Sequence, residues 1–308
     1  MSCTGAIRSY TTSCCFASRR SIAARFNGRS RLIPANRQLS RVAFWPGALL
    51  LAALAMSPRV VSAQDSIPRH ETFTIASRGL GERRTINVYT PPGYATAGRA
   101  FPVLYMPDGG LAEDFPHVVN TIDSLVRLRR IRPVLVVGIE NTARRRDVTG
   151  PTTVGSDSAI APRVGGSAAF RNFIRDELMP EVRRRYRCTD ETTIVGESLA
   201  GLFILETMLL EPTLFRRYIA LSPSLWWNGG ELVRTAERRL GALAGSPRIL
   251  YLAEANEAGI AEGTAQLAAI LKAHAPPALT WYYEPRPDLQ HSTIFRGVSP
   301  GAFVKVLK

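Results

Sequence analysis

One run of the chain constrains its fold more than any other: Thr193-Ile194-Val195-Gly196-Glu197-Ser198-Leu199-Ala200-Gly201-Leu202-Phe203. A short apolar strand enters Gly-Glu-Ser-Leu-Ala-Gly, and an apolar helix leaves it. A strand-to-helix turn this tight lifts the residue at its apex alone above the sheet edge. Only very small residues fit two places before and two places after it. Gly196 and Ala200 hold those places; glycine is usual at the second, and here Gly201 follows the alanine at once. The pattern predicts a nucleophile elbow with Ser198 as nucleophile. The N–H of Leu199, at the start of the new helix, then points at a developing oxyanion.

The rest of the pattern supplies a sheet to hold such a turn. Glu71–Ala76 and Arg84–Tyr89 alternate apolar and polar residues around Gly79-Leu80-Gly81, which predicts an antiparallel pair. Six unbroken apolar runs follow: 101–105, 134–139, 193–195, 218–222, 249–253 and 279–283. Such runs suit parallel strands covered on both faces. Helical periods fall between them, at 114–130, 167–185, 199–210, 231–240 and 261–274, with Pro180 interrupting the second. Alternating strands and helices with right-handed crossovers predict an α/β protein with a doubly wound, mostly parallel sheet. Residues 141–166 are rich in Gly, Pro, Thr and Ser without a period and read as a long loop.

The charge of +14 suggests nucleic acid, but its distribution argues otherwise. Residues 1–63 hold nine arginines and no acid, leaving 30 of the 39 bases against all 25 acids for residues 64–308. No basic block interleaved with aromatics is present in that remainder, so no nucleic-acid partner is expected. Eight of these arginines end at Arg41, an apolar run covers Val42–Met56, and after Arg59 the residues Val61-Ser62-Ala63 precede Gln64. This order predicts a signal segment over about 42–63, cleavage after Ala63, and a periplasmic or secreted protein without stable membrane association. Residues 1–41 are long for a signal. They point to a translation start farther along, with a transit peptide or an uncleaved anchor as alternatives. The expected organisation is a leader, 1–63, and a single α/β domain, 64–308. Beyond the leader only Cys188 remains, so the domain forms no internal disulfide.

A serine nucleophile needs a base and an acid that orients the base. Of the four histidines, His70 precedes the first strand, His117 begins a helix and His274 ends one. His291 follows the last strand, where a base belongs, and is read as a loop residue. The acid belongs after the strand at 249–253. Glu257, a few places into the loop, is favoured over Glu254, and a dyad without an essential acid is the alternative. The loop Pro107-Asp108-Gly109-Gly110 lets backbone approach a bound carbonyl closely. Gly109 and Gly110 are therefore the expected second oxyanion donors. No metal cluster, phosphate loop or dinucleotide fingerprint is present, and no cofactor is expected.

Several motifs carry a resemblance: Tyr105-Met106-Pro107-Asp108-Gly109, Asn141–Thr149, Gly196–Phe203, Ser222-Pro223-Ser224-Leu225-Trp226-Trp227, Ala255-Asn256-Glu257 and His291-Ser292-Thr293. From Phe101 onward the chain resembles the putative-esterase family of α/β-hydrolases, the enterochelin-esterase-like and feruloyl-esterase-like group. The resemblance implies an α/β-hydrolase fold and a Ser198–Glu257–His291 triad. The family often has an acidic residue two places before the histidine, where this chain has Leu289. Trp226 and Trp227 are candidates for lining a substrate pocket, with a core role as the alternative. Arg144 and Arg146 are candidates for binding an anionic substrate, with bracing of Asp147 as the alternative.

Together these readings predict an exported serine ester hydrolase acting on a small-molecule ester through an acyl-enzyme. Siderophore-type, feruloyl and simple acyl esters all fit. Acyl transfer to a sugar or lipid hydroxyl is the second reading, and a binding protein on a hydrolase fold the third.

Overall fold

The computed structural model describes residues 67–308. The leader, the cleavage site after Ala63 and the domain boundary there lie outside the described residues. Strands β1 (His70–Ser77) and β2 (Glu82–Tyr89) form the antiparallel pair at one edge, with Phe73 opposite Ile86. Gly81 closes the turn between them at φ 67°, a backbone angle that glycine adopts without strain.

Six further strands complete the sheet: β3 (Phe101–Met106), β4 (Leu135–Ile139), β5 (Cys188–Glu197), β6 (Arg217–Leu221), β7 (Arg248–Ala255) and β8 (Leu279–Arg286). The order across the sheet is β1-β2-β4-β3-β5-β6-β7-β8. β2 pairs antiparallel with both neighbours, and every pair from β4 to β8 is parallel. The chain moves outward from β3 to β4 in one direction and from β5 to β8 in the other. The loops after β3 and β5 therefore meet at the switch point, where open α/β sheets bind ligands.

Two helices cover one face: α1 (Phe115–Arg127) and α9 (His291–Val306), through Phe115, Val118, Ile122, Phe295, Phe303 and Val306. The other face carries α4 (Ser167–Phe173), α5 (Met179–Arg185), α6 (Leu199–Leu210), α7 (Trp227–Leu240) and α8 (Ile260–His274). Helix α6 is apolar all round and buried on nearly every side, as a helix wedged between sheet and neighbouring helices must be.

Three expectations are adjusted. The helix expected over 167–185 breaks at a π turn, Ile174–Leu178, just before Pro180 in the first turn of α5. Proline donates no N–H and its ring crowds the carbonyl four residues back, so the preceding turn widens. The long loop contains two single-turn helices, α2 (Arg144–Asp147) and α3 (Gly155–Ser158). His291 is not a loop residue: it is the first residue of α9, a helix absent from the sequence reading.

Candidate active site

The elbow forms as the sequence predicts. Ser198 adopts φ 61° and ψ −123°, a strained conformation held between β5 and α6. Its N–H donates to the Leu221 carbonyl at 3.0 Å, and its carbonyl accepts from Leu202 at 2.9 Å and Ser224 at 3.1 Å. The small residues have separate tasks. A Cβ on Gly196 would lie 2.8 Å from the Ala200 Cβ, and one on Gly201 would lie 3.1 Å from both the Leu221 carbonyl oxygen and the Pro223 Cα. Gly196 thus clears the inside of the turn, and Gly201 lets α6 pass close to the end of β6.

His291 and Glu257 meet. Strand β7 runs on to Ala255, which places Glu257 two residues into the following loop. Its carboxylate Oε2 lies 2.7 Å from His291 Nδ1. Both atoms are shielded from solvent and have no aligned hydrogen-bond partner among the described residues; they touch at close range without the alignment of a linear hydrogen bond. Glu254 lies inside the strand, buried, and accepts from the Tyr283 hydroxyl at 2.6 Å. Burial raises its pKa, against the pull of that bond. The segments leading to Glu257 and His291 are tied by the Asn256 N–H, which donates to the Leu289 carbonyl at 3.0 Å. A capping box formed by Gln290 and Thr293 starts α9 and fixes the backbone on either side of His291. Leu289, the departure from the family pattern, packs where a Cβ on Gly297 would lie 2.7 Å from its Cδ1. An apolar contact with α9 stands where an acid would face the histidine loop.

The oxyanion donors divide. Leu199 begins α6, and its N–H is one of the first-turn donors that a helix cannot satisfy internally. The Gly109 N–H, by contrast, donates to the Ile139 carbonyl at 2.9 Å, and a Cβ there would lie 2.2 Å from the Ile139 nitrogen. Glycine at 109 serves the close crossing of this loop over β4, and its N–H is spent. The Gly110 N–H donates to Glu113 Oε2 at 2.7 Å; it reaches a substrate only if that carboxylate turns away.

Arg144 and Arg146 behave differently from each other. Arg144 clasps Asp108 through Nε at 2.6 Å and Nη2 at 2.8 Å, and Nη2 lies 3.4 Å from the Glu197 carbonyl. Asp108, at φ 56°, also accepts from Asn141 at 2.6 Å. Arg144 therefore braces the loop after β3 against Glu197, the residue before Ser198. Arg146 bonds Glu82 at 2.7 Å and Asp147 at 2.7 Å, and Asp147 pairs with buried Arg84. Its guanidinium is committed to that network and not to a ligand. The tryptophans also separate. Trp226 is 40% exposed, whereas Trp227 is 4% exposed and donates its indole N–H to the Gly150 carbonyl at 2.9 Å. Trp227 lines a cavity of about 380 Å³ between α6, α7 and residues 150–153, and Ser198 does not line it.

Two features escaped the sequence reading. The Ser198 Oγ partner in this structure is the Ser224 hydroxyl at 3.3 Å. Ser224 sits in the Ser-Pro-Ser turn after β6, part of the motif at 222–227 that carries the resemblance, where the sequence gives it no role of its own. Behind Ser198 lies an acidic group. Burial, then the neighbouring Asp114, pushes the Glu197 carboxyl up to about 8, with Arg144 opposing. Burial, then Asp108, pushes Asp114 up to about 6. Among the described residues no cluster of His, Cys, Asp and Glu suits a metal ion, and no helix is long and apolar enough to cross a membrane.

Residues 77–249, more than half of the chain, match the model of a family described as "Putative esterase". The ferri-bacillibactin esterase of Bacillus subtilis is 34% identical over 188 residues, 53% of this chain and 61% of that protein. The iron(III) salmochelin esterase of Escherichia coli is 26% identical over 152 residues, 48% of this chain and 34% of that protein. The chain thus spans less than two thirds of the length of either relative. Among solved structures, an IroE-like serine hydrolase of Shewanella oneidensis superposes with a TM-score of 0.71 at 26% identity, covering 77% of this chain and 79% of that one. The enterobactin esterase of Shigella flexneri superposes with a TM-score of 0.62 at 19% identity, covering 77% of this chain and 58% of that one, and shares the fold.

Proposed function

The chain belongs to the putative-esterase family of α/β-hydrolases, and on that footing we propose that it hydrolyses carboxylic esters through a covalent acyl-enzyme on Ser198. The observation that carries this reading is the convergence of the strained Ser198 elbow with a His291–Glu257 contact of 2.7 Å at the same edge of the sheet.

In the proposed reaction the Ser198 hydroxyl oxygen attacks the ester carbonyl carbon and its proton passes to His291 Nε2. Glu257 faces Nδ1, fixes the tautomer with Nδ1 protonated, and stabilises the imidazolium that forms. The carbonyl oxygen becomes the oxyanion and accepts from the Leu199 N–H. Collapse of the tetrahedral intermediate breaks the bond to the leaving alkoxide, which takes the proton from His291. Water then attacks the acyl-enzyme, gives its proton to His291, and the acid product leaves as Oγ recovers a proton. The first attack needs the Ser198 hydroxyl proton to point toward His291 and not toward Ser224.

For substrate, the names of the relatives favour a siderophore-type ester, and feruloyl and simple acyl esters follow. We further propose that the leader is removed after Ala63 and that the domain works outside the cytoplasm; the Arg41–Met56–Ala63 order supports this. N-terminal sequencing of protein from periplasmic or culture fractions tests it, with Gln64 expected first. A full-length chain in the soluble cytoplasm would overturn it. The catalytic reading is tested with a fluorophosphonate probe and an ester panel. Labelling of a single peptide containing Ser198 is expected, together with faster turnover of a catecholate trilactone than of p-nitrophenyl butyrate. Absence of labelling would sink the acyl-enzyme reading, and the reverse substrate ranking would sink the siderophore assignment.

A further inference from the structure

The turn after β6 holds a second hydroxyl against the nucleophile. Ser224 is 2% exposed, and every polar group it carries is engaged in one direction or another. Its N–H donates to the Ser198 carbonyl at 3.1 Å, its carbonyl accepts from the Trp227 N–H at 3.2 Å, and its Oγ lies 3.3 Å from Ser198 Oγ. No other partner for that Oγ is present among the described residues.

The turn that places it is itself pinned. Ser222, at φ 39°, donates its N–H to the Ala253 carbonyl at 2.7 Å, and its Oγ accepts from the Ala255 N–H at 3.0 Å. Pro223 follows with its fixed φ, packed where a Cβ on Gly201 would lie 3.1 Å from its Cα. The Ser224 hydroxyl is thus aimed at Ser198 by rigid backbone and not by a mobile side chain. A buried hydroxyl without a partner is costly, and the only group offered to this one is the nucleophile.

Resting on the reading of Ser198 as nucleophile, we propose that Ser224 is a positioning residue that donates its hydroxyl proton to Ser198 Oγ. A hydroxyl donates one hydrogen bond and accepts others. If Ser224 donates, the Ser198 proton is free to point toward His291, and the lone pair that attacks stays in place. The same bond receives the negative charge that gathers on Oγ as the proton leaves. It serves again in deacylation, when Oγ departs from the acyl group. No atom is transferred to or from Ser224.

The test compares Ser224→Ala, Ser224→Thr and Ser198→Ala with the wild-type protein. Three quantities are read: the rate constant of fluorophosphonate labelling, kcat and KM on p-nitrophenyl acetate, and the thermal midpoint. For Ser224→Ala, labelling and kcat should both fall about tenfold, the loss typical of one hydrogen bond to reacting charge, with KM unchanged. Ser224→Thr keeps the hydroxyl and should recover most of that loss. Wild-type labelling and kcat in Ser224→Ala would overturn the proposal. So would a Thr variant that folds as stably as Ala yet reacts no faster. The nucleophile reading fails separately, if Ser198→Ala still labels.

Discussion

Gly196 and Ala200 share one space: the single methyl group of the elbow's inner face belongs to Ala200, and a Cβ on Gly196 would come within 2.8 Å of it. One methyl fills that space, Ala200 is wholly buried, and the neighbouring Ile204 closes the side. Gly196→Ala should therefore overpack the turn and cost about 1–3 kcal/mol of unfolding free energy. Adding Ala200→Gly to the same chain should return part of that loss, because the next obstacle, Ile204 Cδ1 at 3.1 Å, is the end of a flexible side chain. Urea denaturation of both variants measures it; a double variant no more stable than the single one would show that the two residues do not share the space.

Ser198→Ala should abolish hydrolysis of p-nitrophenyl acetate while leaving the thermal midpoint close to that of the wild type. Loss of a triad serine removes several orders of magnitude of turnover. Retention of more than about a tenth of the activity would place the nucleophile elsewhere.

The two candidate acids should separate in different assays. Glu257→Gln removes the charge beside His291 Nδ1 and should lower kcat by at least about tenfold, less than loss of Ser198 or His291. Glu254→Gln keeps an acceptor for the Tyr283 hydroxyl in a site where burial already disfavours the carboxylate. Its kcat should stay within about threefold of wild type. The opposite ranking would make Glu254 the acid, and two unaffected variants would leave a Ser–His dyad.

Stability should decline as pH rises through neutrality. The Glu197 carboxyl titrates at 4.5 in the unfolded chain and at about 8 in the fold, chiefly because of burial and then Asp114. A raised folded pKa means that the native state holds the proton more tightly. Its contribution is complete below about pH 4.5 and is lost progressively as pH climbs through about 8. Asp114, raised to about 6 by burial and then Asp108, acts with the same sign over a lower range. The denaturation midpoint should therefore fall between about pH 5 and pH 9, and Glu197→Gln should flatten the upper part of that slope. An unchanged slope in the variant would assign the effect to another group.

Local signals made much of this molecule legible. The elbow needs only residues 196–201, and the apolar runs that became β3 to β8 are continuous because both faces of the sheet are covered. Strand-end position alone separated Glu257 from Glu254. What stayed hidden was non-local or locally contradictory. Helix α9 contains Gly297, Pro300 and Gly301, which read as breakers. The signals that outweigh them were the Gln290–Thr293 capping pair and the apolar residues Ile294, Phe295, Val298, Ala302, Phe303 and Val306 on one face. The partners of Arg144 and Arg146 lie 36 and 64 residues away, at Asp108 and Glu82, and no spacing rule links them. Gly109 looked like an oxyanion donor because glycine also marks a close crossing of chains, and that is the use this fold makes of it.

His291 rides at the head of α9, the last helix among the described residues, and that helix is held by Phe303 and Val306 against a sheet whose strands all precede it in the chain. During synthesis, the elbow and its clasp after β6, which ends at Ser224, emerge 82 residues before Val306, the end of α9. Until α9 docks, the elbow stands without the His291–Glu257 contact. On the proposed reading of Ser198 and His291, docking of α9 is thus an arming step, and a chain released before it carries an elbow that cannot turn over.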